Sequence, residues 1–156
     1  MNVLIERIQK YLDSIPEDWL GAMYDMGDEP KYVRGFKIQA RYRADALRKA
    51  ISFYTHNAFI QMPYSIHLLV FMRHLGAFDV QYEDSRIVSE ILKIINGYIF
   101  ETLAQTKGDF SNAQEIVETI IETLDWLHVY LDTFLEKMKK AWEKREEEIR
   151  QECLSS

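Results

Sequence analysis

From Ser111 to Glu152 the chain contains neither glycine nor proline. Within that stretch Ala113, Val117, Ile120, Leu124, Leu127, Leu131, Phe134, Met138 and Ala141 recur at alternating steps of four and three. An apolar seam of that period belongs to a helix whose one side is covered along its whole length by neighbouring helices. Such a seam predicts near-parallel helix packing, at about 20° between axes. Ser111 followed by Gln114 forms a capping box that opens the helix.

The rest of the chain supplies helices to cover the seam. Leu4, Ile5, Ile8, Tyr11, Leu12 and Ile15 share one helical face, which predicts a first helix over 3–13. Ser14 with Glu17 reads as a second capping box, with Pro16 in the first turn of a short helix over 16–26. Trp19, Leu20 and Met23 are expected to point inward, and Gly27 ends the element. Asp28, Glu29 and Pro30 open a third helix running to about residue 61, with Val33, Phe36, Ala40, Ala44, Leu47, Ile51, Tyr54 and Ala58 on its inner face. Gly35 inside it should cost about 1 kcal/mol relative to Ala, and the helix is free to break or kink there. A fourth helix over 63–75 is apolar nearly all round, the pattern of a central core helix. A fifth, over 85–106, turns Ile87, Val88, Ile91, Leu92, Ile95, Tyr98, Ile99 and Leu103 inward. No two-residue alternation and no Asn-Gly or Asp-Gly turn competes with this pattern. The predicted fold is all-α, an elongated antiparallel helical bundle of four long helices with a short N-terminal helical pair.

The last helix is too long for the domain it serves. Forty helical residues span about 60 Å at 1.5 Å each, whereas a compact chain of 156 residues has a diameter of about 40 Å. The C-terminal helix is therefore expected to overhang the core. Beyond Ala141 the apolar seam gives way to the charged run Glu143 to Arg150, in which Lys144–Glu148 and Glu146–Arg150 are opposite-charge pairs one turn apart. Residues 1–141 read as the bundle domain and 142–156 as a charged helical extension. Trp142 and Ile149 share one face of that extension, with Arg145 beside them, and these three are the candidate partner-binding residues.

Charge is distributed unevenly. The net charge is −6, yet residues 31–49 hold seven basic side chains and one acid, and residues 109–136 hold seven acids and no Lys or Arg. Arg34, Lys37, Arg41 and Arg48 form a stripe on the third helix, interleaved with Tyr32 and Tyr42. Basic side chains with neighbouring aromatics suit a nucleic-acid backbone and its bases, which makes this stripe the candidate nucleic-acid site. Glu115, Glu118, Glu122, Asp125, Asp132 and Glu136 form the acidic counterpart on the last helix. Carboxylates are the ligands a hard cation such as Mg²⁺ takes, but a cation site needs donors converging from several sides, and these lie along one helix. If the fourth and last helices pack together, His67 and His74 would meet Asp125, His128 and Asp132, a His/carboxylate set of the kind that binds metal, although the paired Glu-x-x-His motifs of di-iron bundles are missing. No metal ligand and no cofactor are assigned. Whether the two charged stripes face each other or face solvent decides both readings.

The single cysteine, Cys153, leaves no internal disulfide to form. No apolar run reaches the length of a transmembrane helix, and the opening residues lack a basic n-region. The cytoplasm is the expected compartment. No glycine-rich phosphate loop or nucleophile elbow is present, and no known family's motif set is matched. The expected function is a non-enzymatic protein–protein interaction module (an adaptor, an inhibitor or a small subunit), with a protein partner or self-association. The alternatives are nucleic-acid binding through the basic stripe and metal-dependent hydrolysis on the acidic one.

Overall fold

The computed structural model describes residues 2–25, 27–56, 84–105 and 113–155. Five helices occupy them: α1 (Val3–Ser14), α2 (Glu17–Asp25), α3 (Asp28–His56), α4 (Arg86–Gln105) and α5 (Ala113–Ser155). No strand occurs among the described residues. The helix expected over 63–75, the Ser111 capping box, and His67 and His74 lie outside them.

α5 is the axis of the fold. Each of the other four helices packs against it, α3 and α2 most extensively. Its seam is buried as the spacing requires: Val117, Ile120, Leu124, Leu127, Leu131, Phe134, Met138 and Ala141 are all removed from solvent, joined by Ile116 and Leu135. Burying a side chain of this size contributes about 1.5–3 kcal/mol. α3 brings Val33, Phe36, Ala40, Ala44 and Leu47, α4 brings Ile87, Val88, Ile91, Leu92, Ile95 and Ile99, and α1 brings Leu4, Ile8 and Leu12.

Polar ties give the directions of the helices. Asn2 caps α1 by accepting from the Ile5 N–H at 3.0 Å, and its side-chain amide donates to the Thr119 carbonyl and the Thr123 hydroxyl of α5, each at 3.2 Å. Near the other end of α1, burial first and then the Asp13 carboxylate, to which the phenol hydrogen-bonds, pushes the Tyr130 hydroxyl of α5 up from its ordinary pKa. α1 therefore runs alongside α5 in the same sense. Arg7 of α1 pairs with Glu101 near the end of α4 at 3.0 Å, and Glu90, one turn into α4, lines the same small pocket as Tyr11. α1 and α4 are thus antiparallel.

Glu29 joins α3 to the start of α4. Its carboxylate is buried and accepts from the Ser85 hydroxyl at 2.9 Å, the Ile87 N–H at 2.8 Å and the Arg86 N–H at 3.3 Å. Ser85 in turn accepts from the Val88 N–H at 3.2 Å as the residue capping α4. A helix's first N–H groups have no partners within the helix and carry partial positive charge. A carboxylate from another helix answers both needs here, and it sets α3 and α4 to begin at the same end of the molecule.

Several local expectations are corrected. Ser14 does not cap α2, because it is still the last residue of α1 and its hydroxyl donates to the Tyr11 carbonyl at 2.6 Å. The Pro16 carbonyl opens α2 instead, accepting from the Trp19 and Leu20 N–H groups at 3.0 and 3.1 Å. Trp19 does not point inward: it is 51% exposed, with the Arg86 guanidinium 4.9 Å from its ring centre. α3 passes through Gly35 without a break. Gly27 ends α2 as expected, at φ +77.

Gly21 has a different use. α2 crosses α5 so closely that a β-carbon here would lie 3.2 Å from the Ala141 carbonyl oxygen and 3.3 Å from the Trp142 nitrogen. Both are helical backbone atoms and do not yield.

These local structures lead to three predictions. Gly35→Ala places its methyl in open space and should raise stability by about 1 kcal/mol through helix propensity. Gly21→Ala should lower it despite the same gain, because overpacking costs about 1–3 kcal/mol. Urea denaturation reads both, and a stabilised Gly21→Ala variant would mean that α2 is not seated on α5. Glu29→Ala, which strips the partners from the α4 terminus, should cost about 2–3 kcal/mol. Hydrogen exchange should then localise the loss to the amides of residues 86–88.

Candidate functional site

The two charged stripes meet each other. α3 and α5 run antiparallel, so the basic residues of one pass along the acids of the other. Lys37 Nζ lies 2.8 Å from the Asp132 carboxylate. Arg48 binds Asp125 through both terminal guanidinium nitrogens, one of them at 3.2 Å, and it also reaches Asp45 at 3.3 Å. The bonded Asp125 carboxylate holds the Arg48 guanidinium further above its already high pKa, so it stays charged. Arg41 is taken by Asp45 one turn away, at 3.3 Å. Of the four basic residues singled out from the sequence, Arg34 alone is outside these pairs. Among the described residues, three of the four are therefore held by carboxylates of this chain, whereas a phosphate-binding stripe requires several cations turned outward.

Two of the six acids are engaged on the same terms. Asp125 and Asp132 serve α3, and His128 between them turns to the Lys37 carbonyl, 3.1 Å from its Nδ1. A carbonyl only accepts, which places the proton on Nδ1. Among the described residues no three His, Cys, Asp or Glu side chains gather into a group able to hold a metal ion. No helix among the described residues is long and apolar enough to cross a membrane.

The third candidate set lies where α5 leaves the core. Ala141 is the last buried residue, and every residue from 143 to 155 is exposed although the helix continues unbroken. The whole element has 43 residues, about 65 Å of helix. Trp142 stands at the boundary. Its ring lies 5.5 Å from that of Tyr24, and its indole N–H donates to the Asp25 carboxylate at 3.0 Å. Trp142 therefore ties α2 to the base of the projection. Lys144 adds to that tie by reaching Glu17 of α2 at 3.3 Å instead of pairing with Glu148 as its spacing suggested. Arg150 sits 3.6 Å from Glu147, one turn back, instead of pairing with Glu146. Arg145 is exposed at the start of the projection, close to Glu17, Asp18 and Glu148. Ile149 is 46% and Leu154 76% exposed.

Beside the base of the projection an open groove of about 930 Å³ runs between the α1–α2 corner and α5. Ile15, Leu20 and Ala141 line it with apolar surface, and Lys137, Lys140 and Lys144 edge it together with the acids Glu17, Asp132 and Glu136. No signal in the sequence marked this groove, because it exists only where α2 crosses α5.

Compared with known proteins, the chain matches no family model, no curated protein and no solved structure.

Trp142→Phe keeps the ring on Tyr24 and loses only the N–H bond, so it should cost about 1 kcal/mol. Trp142→Ala should cost about 2–3 kcal/mol, less than a fully buried tryptophan, and should raise hydrogen exchange across residues 17–25. Equal stability of the wild-type chain and Trp142→Ala would show that the indole does not hold α2.

Proposed function

We propose that the chain is a non-enzymatic protein–protein interaction module that presents the projecting end of α5 to a partner. The observation that carries this reading is a helix that continues through residues 143–155 with its whole circumference exposed. Isolated helices of this length are marginal in water. Here the projection is propagated from a buried segment and anchored at its base by Trp142, Tyr24 and Asp25. A pre-formed helix loses little conformational freedom on binding, which favours recognition of its surface.

Ile149 is the apolar centre of the face that continues from Trp142, and Arg145 lies on its flank. A partner would bury Ile149 and answer the surrounding charges of Arg145, Glu146 and Arg150. The nucleic-acid reading is disfavoured by the pairing of Lys37, Arg41 and Arg48 with acids of this chain. The hydrolase reading loses Asp125 and Asp132 to the same pairs.

A photo-activatable cross-linker placed at position 149 tests the proposal in the cells that make the protein. The expected product is an adduct with one defined protein, lost when Arg145 is changed to Glu. The absence of any protein adduct at 149, with the chain folded and abundant, would sink the reading.

A further inference from the structure

The groove beside α5 and the projection of α5 are two halves of one surface stripe. Thr133, Lys137, Lys140, Lys144, Glu147, Gln151 and Leu154 follow one another at steps of four, three, four, three, four and three. They therefore share one side of a single helix. The first four line the groove, and the last three belong to the projection. Ile149 lies on the opposite side of the helix, so this surface differs from the one proposed above, although it rests on the same projecting element.

The two halves are complementary. Lys137 and Lys140 enter none of the ion pairs among the described residues, whereas of the groove's three acids Asp132 and Glu17 are held by Lys37 and Lys144, which leaves Glu136 beside the two lysines. Residues 146–155 carry four acids and one base. Leu154, 76% exposed at the end of the stripe, is an apolar side chain without apolar cover, and the groove offers apolar surface at Ile15, Leu20 and Ala141. The lengths agree as well. The groove wall from Asp132 to Lys144 and the projection from Glu143 to Ser155 each cover 12 residue steps, about 18 Å of helix.

We infer that a second copy of this chain fills the groove, in an antiparallel two-fold dimer in which each projection lies along the other copy's groove. One continuous helix carries both halves, so a two-fold axis between Arg145 and Glu146 engages both grooves at once. That is the self-matching arrangement a closed dimer requires. In this register Lys144 faces Glu147 of the second copy, Lys140 faces its Gln151, and Lys137 stands beside its Leu154. Glu147 at present accepts from Gln151 at 3.0 Å and lies near Arg150 within its own chain, and Lys144 reaches Glu17 at 3.3 Å. Those contacts are exposed, and exchanging such pairs costs little.

Sedimentation equilibrium on the full chain tests this, with a charge-swapped pair of variants as the decisive arm. The wild-type chain should show a mass twice 18.5 kDa, and dimerisation should weaken as salt rises. Lys137→Glu with Lys140→Glu should be monomeric, because an acidic projection meets an acidic groove. Glu147→Lys with Glu148→Lys should be monomeric for the opposite reason. All four positions are exposed, and circular dichroism should show both variants folded. An equimolar mixture of the two should dimerise, since each projection then meets a groove of opposite sign. A wild-type monomer at about 1 mM, a dimer that ignores both variants, or a mixture that fails to recover would each overturn the inference. A monomeric chain that still cross-links from position 149 to a different protein would remove the dimer and leave the proposed function standing.

Discussion

The fold depends on covering one apolar stripe. Ten apolar side chains of α5, from Ile116 to Ala141, are buried, and they lie on a rod that none of the other helices matches in length. No single neighbour covers such a stripe. α3 lies antiparallel along it, α1 runs beside its first half, α4 closes over part of it, and α2 crosses it at Ala141, where Gly21 permits the backbones to approach. Each of the other helices is in effect placed by where it meets α5. The end of the stripe at Ala141 is also where the bundle ends, and the projection begins there for that reason.

Polar groups determine how those helices sit. The carboxylate of Glu29 completes the N-terminus of α4 from outside, and Asn2 caps α1 while holding Thr119 and Thr123 of α5. Both are satisfied networks at the margins of the core, and a partly satisfied network there would cost more than an apolar substitute. Lys37 with Asp132 and Arg48 with Asp125 then line the α3–α5 seam. Exposed pairs of this kind contribute little to stability individually. Their consequence is chemical: they tie Lys37 and Arg48 to Asp132 and Asp125, across two stripes that, in isolation, look like sites for phosphate and for metal. With those residues engaged inside the molecule, the groove edged by Lys137 and Lys140 and the projecting end of α5 are among the surfaces that face outward with charge and apolar area.

Much of the helical architecture was legible from side-chain periodicity, because a four–three rhythm of apolar residues has one inexpensive solution in water. The buried positions of α1, α3, α4 and α5 follow that rhythm closely. Misreadings arose where a short motif competed with its surroundings. Ser14 has the spacing of a cap, but α1 extends through it, and Pro16 supplies the opening carbonyl. Trp19 has the composition of a core residue, yet Arg86 arrives from α4 to cover its face, so it remains at the surface. Asn2 was a readable cap, an Asn immediately before an apolar-periodic run, and went unread. Glu29 was legible as a residue of a helix start, but not as the cap of a different helix.

By itself the sequence determined that the chain is helical, which side of each long helix is apolar, and that the last helix outruns its core. Those properties are local, set by spacing along one chain and by the rise per residue. Only the tertiary structure decided that the basic and acidic stripes face each other, that Trp142 holds α2, and that a groove opens beside Lys137 and Lys140. Each of these requires two helices to be brought side by side in a particular direction and register. Charge and apolar area read along one helix carry no record of what lies opposite.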